Sequence, residues 1–195
     1  NARVGNIKSL VINALPSRAR RRLGAFEWVR DAQPRTAKRP LGRVKIPTGA
    51  SEMSLSPEII SHWEAYLAEE KAGVRSEALR QLDEFIASLL AQSKSDWQDW
   101  AVGLSEEIVD HKRDIPVRMP LFRLVLFPAL HSRLTAGSGA AARLLAGFSQ
   151  LLYHSRECQK GLPPELRTEH GLILEAVKRD PSDLRSKHRL RAILR

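Results

Sequence analysis

The sequence predicts an all-α protein: six to seven amphipathic helices in an antiparallel orthogonal bundle or short helical-hairpin array, preceded by a mostly irregular basic N-terminal segment. Three observations lead there. From Ser56 onward apolar residues recur at spacings of three and four, the pattern of a helix with one buried face. Several of these segments are bracketed by Ser, Asp, Gly or Pro at the positions where helices start and stop. The connections between them are short, which favours antiparallel neighbours.

Residues 1–52 hold no sustained period, are interrupted by Pro16, Pro34, Pro40 and Pro47 and by four glycines, and read as largely disordered apart from one short helix within 15–31. The first firm helix follows Ser56-Pro57-Glu58, an N-cap, a proline at the first helical position and an early acid; Ile59, Ile60, Trp63 and Leu67 form its stripe up to Gly73. A second starts at Ser76 and aligns Leu79, Leu82, Ile86, Leu89 and Leu90. A third runs from Ser95 to about Lys112, with Trp97, Trp100, Ala101, Leu104 and Ile108 opposite Asp99, Glu106 and Asp110. Of the tryptophan pair Trp97 and Trp100, at least one is expected in the core.

Residues 118–134, RMPLFRLVLFPALHSRL, are apolar on nearly all sides and predict the central buried helix, kinked where Pro128 removes a backbone donor. A fifth helix after Gly137-Ser138-Gly139 carries Ala141, Leu144, Leu145, Phe148, Leu151 and Leu152. Pro163-Pro164 opens a sixth through Leu172, Ile173, Ala176 and Val177, and Asp180-Pro181-Ser182 leads to a seventh. Leu190, Ile193 and Leu194 are still in helical register at Arg195, so the last helix is expected to continue. Residues 175–194, EAVKRDPSDLRSKHRLRAIL, resemble the junction between two tetratricopeptide units, with Ala176 packing and Pro181 breaking; the Trp, Gly and Tyr positions of such a unit's first helix have no counterpart upstream, and no peptide-binding role follows.

Composition narrows the functional classes. The longest apolar run, residues 124–130, is far shorter than the ~18 to 20 residues of a membrane helix. LVINAL at 10–15 is too short for a secretory core and is followed by PSRARRR. The single cysteine, Cys158, cannot form an intramolecular disulfide, so a cytoplasmic protein without membrane contact is expected. The formal charge of +10 is distributed unevenly: residues 1–52 hold 12 Lys/Arg against three Asp/Glu, whereas 53–195 hold 20 against 19. Within the latter, residues 53–114 carry six bases and 13 acids, and 178–195 carry seven bases and two acids. The change of character at Met53 admits two readings: Met53 is the true start and 1–52 an upstream extension, or 1–52 is a native basic arm or presequence before a single helical domain at 53–195.

No catalytic constellation stands out. In EEIVDHKRD, residues 106–114, Glu107 with His111 and Asp110 with Asp114 are four apart, but a metal site in a bundle needs such pairs on further helices; a solvated acidic face is expected. His154 and Cys158 supply two of the four ligands that structural zinc requires. None of the six histidines accompanies a nucleophile motif, and GSGAAARLL at 137–145 lacks the Lys-Ser/Thr of a phosphate loop. No cofactor, metal or catalytic residue is therefore assigned.

The expected function is non-enzymatic: an adaptor or inhibitor that binds a basic protein partner through an acidic face formed by Glu64, Glu69, Glu70, Asp83, Glu84, Glu106, Glu107 and Asp110. The alternative is nucleic-acid binding by the N-terminal arm through Arg18, Arg20, Arg21, Arg22, Arg35, Lys38, Arg39, Arg43 and Lys45. The C-terminal set Arg185, Lys187, Arg189, Arg191 and Arg195 reads as an exposed face or as the partner of an acidic one.

Overall fold

The computed structural model describes residues 55–195. Residues 1–54, with the irregular arm and short helix expected there and the nine basic residues named above, lie outside the described residues. Those described are all-helical, with nine α-helices, a 3-10 turn and no strand among them.

Helix α1 (Pro57–Ala72) begins where Pro57 presets the first helical φ; Ser56 occupies the capping position, although its hydroxyl makes no capping bond. Gly73 ends it in the left-handed conformation, φ 78°, which a side chain would disfavour. The chain turns at once into α2 (Arg75–Leu90), and the two helices pack along one another. Ile59, Trp63 and Tyr66 from α1 meet Leu82, Phe85, Ile86 and Leu89 from α2 in the core. Each fully buried side chain of this size contributes ~1.5 to 3 kcal/mol.

Helix α3 (Lys94–Val109) is capped by Ser93, whose hydroxyl accepts from the Asp96 N–H at 3.3 Å. It buries Trp97, Ala101, Leu104 and Val109, while Trp100 reaches the Trp63 and Phe85 rings at 5.5 and 5.1 Å. The helix stops earlier than the expected Lys112, because Lys112 takes a left-handed φ of 54° in the turn that follows.

Helix α4 is one rod in three pieces: Met119–Leu121, a π-turn over Phe122–Leu126 and an α-helix over Phe127–Thr135. It packs against α2, α3 and α5 and buries Leu121, Phe122, Val125, Leu126, Ala129 and Leu130. The π-turn lies directly upstream of Pro128, where the sequence predicts a kink. Pro128 has no N–H to give and its ring crowds the Leu124 carbonyl, so the upstream turn widens.

The single helix expected after Gly139, with His154 and Cys158 at its end, is divided into α5 (Gly139–Gly147) and α6 (Ser149–His154) at buried Phe148, and again at Ser155. A Cβ at Gly147 would run into Val109, so the backbone itself meets α3 at this break. Helix α7 (Arg156–Lys160), expected as the end of the preceding helix and not as a separate element, is capped by Ser155, whose hydroxyl accepts from the Cys158 N–H. Pro163-Pro164 opens only a 3-10 turn (Pro164–Leu166); α8 (Glu169–Arg179) begins after Thr168, which caps it. A Cβ at Gly171 would strike the Glu165 carbonyl, which shows how closely that turn folds onto the start of α8. Helix α8 lies along α5, and α9 (Leu184–Ile193), capped by Asp183, lies against α8.

Candidate interaction surface

The α1–α2 pair carries seven carboxylates, Glu58, Glu64, Glu69, Glu70, Glu77, Asp83 and Glu84, against Lys71, Arg75 and Arg80. Helical periodicity places Glu58, Ser61, Glu64 and Lys71 along the exposed side of α1, and Ser76, Arg80, Asp83 and Ala87 along that of α2. The eight acids of the anticipated partner-binding face divide into two groups. Glu64, Asp83 and Glu106 are exposed and Glu69 is half-buried, and none of these four has an ion-pair partner among the described residues. Glu70, Glu84, Glu107 and Asp110 are already engaged.

The engaged four do different jobs. Glu70 accepts two hydrogen bonds from the Arg118 guanidinium, at 2.7 and 2.6 Å, joining α1 to the segment that leads into α4. That guanidinium holds the Glu70 carboxyl below the usual carboxylate range despite burial, which opposes the shift. Beside it the Tyr66 hydroxyl donates to the Pro116 carbonyl at 2.7 Å, and burial pushes the phenol up. Glu84 pairs with Arg80 and lies 3.3 Å from His62. Glu107 pairs with Arg113 at 2.5 Å and with His111 at 3.4 Å.

Asp110 is drawn inward. It sits at the end of α3, 5% exposed, between Arg143 of α5 and Arg185 of α9, with Arg185 Nη1 donating to Oδ2 at 2.8 Å. Arg143, 8% exposed, also donates from Nε to Asp183 Oδ2 at 2.9 Å. Burial alone would raise the Asp183 carboxyl, but the Ser186 hydroxyl, Arg143 and two backbone N–H groups outweigh it and hold the group below its ordinary value. The C-terminal basic set is thus partly the partner of an acidic one: Arg185 meets Asp110 and Arg189 meets Glu169, whereas Arg191 and Arg195 stay exposed.

The other candidates resolve simply. Trp97 is buried and Trp100 packs in the ring cluster. Asp110 and Asp114 no longer share a helical face because α3 has ended, and no group of three metal-capable side chains occurs among the described residues. Cys158 is buried, and burial pushes its thiol up, away from the nucleophilic thiolate; His154 is exposed. An open groove of about 380 Å³ beside Cys158 is lined by Arg123, Leu124, Phe127 and Glu157. No helix among the described residues is long and apolar enough to cross a membrane.

Two residues that organise this surface, Arg118 and Arg143, drew no attention in the sequence. Arg143 carried a usable signal: a lone charge inside the apolar stretch AAARLLAGF has to find a carboxylate if that helix is buried. Arg118 had none beyond its place next to an apolar helix. Comparison with protein-family models, with curated proteins and with solved structures found no match.

Proposed function

We propose that this protein is a non-enzymatic binding module whose α1–α3 region receives a basic segment of a protein partner. The observation that carries this reading is the separation of spent from unspent charge. Glu64, Glu69, Asp83 and Glu106 keep their charge unpaired among the described residues, while Glu70, Glu84, Glu107 and Asp110 are consumed by neighbouring cations. The first group of acids therefore carries this reading. Electrostatic complementarity of this kind favours fast, salt-sensitive encounter with a cationic partner.

The test uses an arginine-rich peptide as probe and the full chain carrying Glu64→Gln, Glu69→Gln, Asp83→Asn and Glu106→Gln. Binding is expected to weaken about tenfold or more in this variant. A control that neutralises Asp114, Glu157, Glu165 and Asp180, all exposed and outside α1–α3, should bind nearly as wild type. Equal loss in both would reduce the effect to net charge and end the proposal of a defined face.

A second reading rests on the arm: the first 26 residues contain no acid, and residues 17–22 read SRARRR. Nucleic-acid affinity through it would fall steeply with salt. Replacing Arg18, Arg20, Arg21 and Arg22 by Gln in the full chain should abolish that affinity, and unchanged RNA and DNA binding would remove the arm from consideration.

A further inference from the structure

The last helix is attached by a different chemistry from the helices that precede it. Of the ten residues of α9, only Ser186 is buried, and Leu190 packs partly against the core. The remaining attachment is polar. Asp183 holds Arg143 of α5, Arg185 holds Asp110 of α3, and Arg189 holds Glu169 at 2.7 Å and donates to the Ala146 carbonyl at 3.0 Å. The outer side is left to water, with Leu184 and Leu194 both strongly exposed.

We propose that α9 is a strap that opens and closes as a unit on a folded body formed by the other described helices, with ionic strength setting the balance. An apolar interface resists opening because apolar surface enters water. Opening α9 exposes little such surface and parts three charge pairs, Arg143–Asp183, Arg185–Asp110 and Arg189–Glu169, whose members regain hydration, while the Arg143–Asp110 pair stays within the body. Salt screens the attraction that would draw the separated charges back together. On detaching, α9 loses the packing that favours its helical form, so its backbone amides exchange whenever it opens. Opening uncovers Arg143 and releases Arg185 and Arg189 from their intramolecular carboxylates.

Hydrogen exchange on the full chain, read by mass spectrometry at about 0.05 and about 1 M NaCl, tests this. Amides of α9 are expected to exchange about tenfold faster than those of α4 at low salt and roughly tenfold faster again at high salt, with α4 and α5 unaffected. In the full chain bearing Arg185→Gln, α9 should exchange several-fold faster with α4 unchanged. Exchange of α9 at the α4 rate at both salt concentrations would overturn the strap. So would an Arg185→Gln variant that accelerates α4 and α9 alike, since α9 would then open only with the whole fold.

Discussion

At the α1–α3 end four aromatic rings hold the helices together. Phe85 lies 5.0 Å from Trp63 and 5.1 Å from Trp100, Trp100 meets Trp63 edge-on at 5.5 Å, and Tyr66 lies 5.4 Å from Trp63. At the α8–α9 end the corresponding work falls to Arg143, Arg179, Arg185 and Arg189, which bind the carboxylates of Asp110, Asp183, Glu169 and Glu175 and the carbonyls of Leu134 and Ala146. The first kind of attachment is nearly indifferent to direction, pH and salt. The second depends on all three, because a charge taken from water must meet its partner in good geometry to offset what it loses. One chain is therefore expected to have an end that responds weakly to solution conditions and an end that responds strongly.

Phe85→Ala is expected to have the largest effect. Phe85 is fully buried among the rings, so truncation removes its transfer free energy and leaves a cavity that its rigid neighbours fill poorly. A loss of about 4 kcal/mol is expected in denaturant unfolding, the same at low and high salt. A marked salt dependence would mean that the aromatic end is held by charge after all.

Arg143→Met comes next and probes the opposite end. It preserves most of the side-chain volume but leaves Asp110 with Arg185 alone and Asp183 with the Ser186 hydroxyl and backbone N–H groups, at a cost of about 3 kcal/mol. The acid limb should move as well. In the wild type the Asp183 carboxyl is depressed, so its stabilisation is present above its unfolded value, near ~3.9, and is lost as pH falls through the lower folded value. Without Arg143 that carboxyl titrates higher, and acid unfolding should begin at higher pH than in wild type. Coincident acid transitions in the two proteins would show that Arg143 does not act through Asp183.

The same contrast explains what could be read from the sequence. Trp63, Leu82 and Trp97 announce their inward faces by spacing on consecutive helices, whereas Tyr66 and Phe85, fully buried in the ring cluster, lay outside the stripes that spacing picked out, and Leu90, placed within one, is exposed. The ionic end joins residues 33, 40 and 75 positions apart. No local period marks such pairs, and Asp110 therefore looked like one more acid on a solvated face. Helix ends were legible where a cap decides them, as at Gly73, and not where tertiary contact does. The break at Phe148 follows from the approach of Gly147 to Val109, and the delayed start of α8 from the fold of Gly171 onto Glu165. Of the anticipated acidic face, spacing could show which acids point outward but not which of them a distant arginine would claim.

Arg80→Gln is expected to have the smallest effect, and for that reason it separates exposed charge from buried charge most cleanly. Arg80 makes a double contact with Glu77 and a 2.5 Å bond with Glu84, which by geometry alone resembles the Arg143 network. The difference is water: Arg80 is 55% exposed and both partners are on the surface of α2, so all three groups regain hydration when the contact is lost. Arg80 holds the Glu77 carboxyl down to about 2, with Gln81 assisting, and in the variant NMR titration should return it toward the ordinary carboxylate range. The unfolding midpoint should scarcely change at moderate salt. At low salt a slight destabilisation is expected, because α1 and α2 lose one of three cations from among seven carboxylates and repel themselves more. The same change should strengthen binding of the arginine-rich probe if the acidic face is its docking surface. A loss of stability rivalling that of Arg143→Met would show that burial is not what distinguishes the two ends.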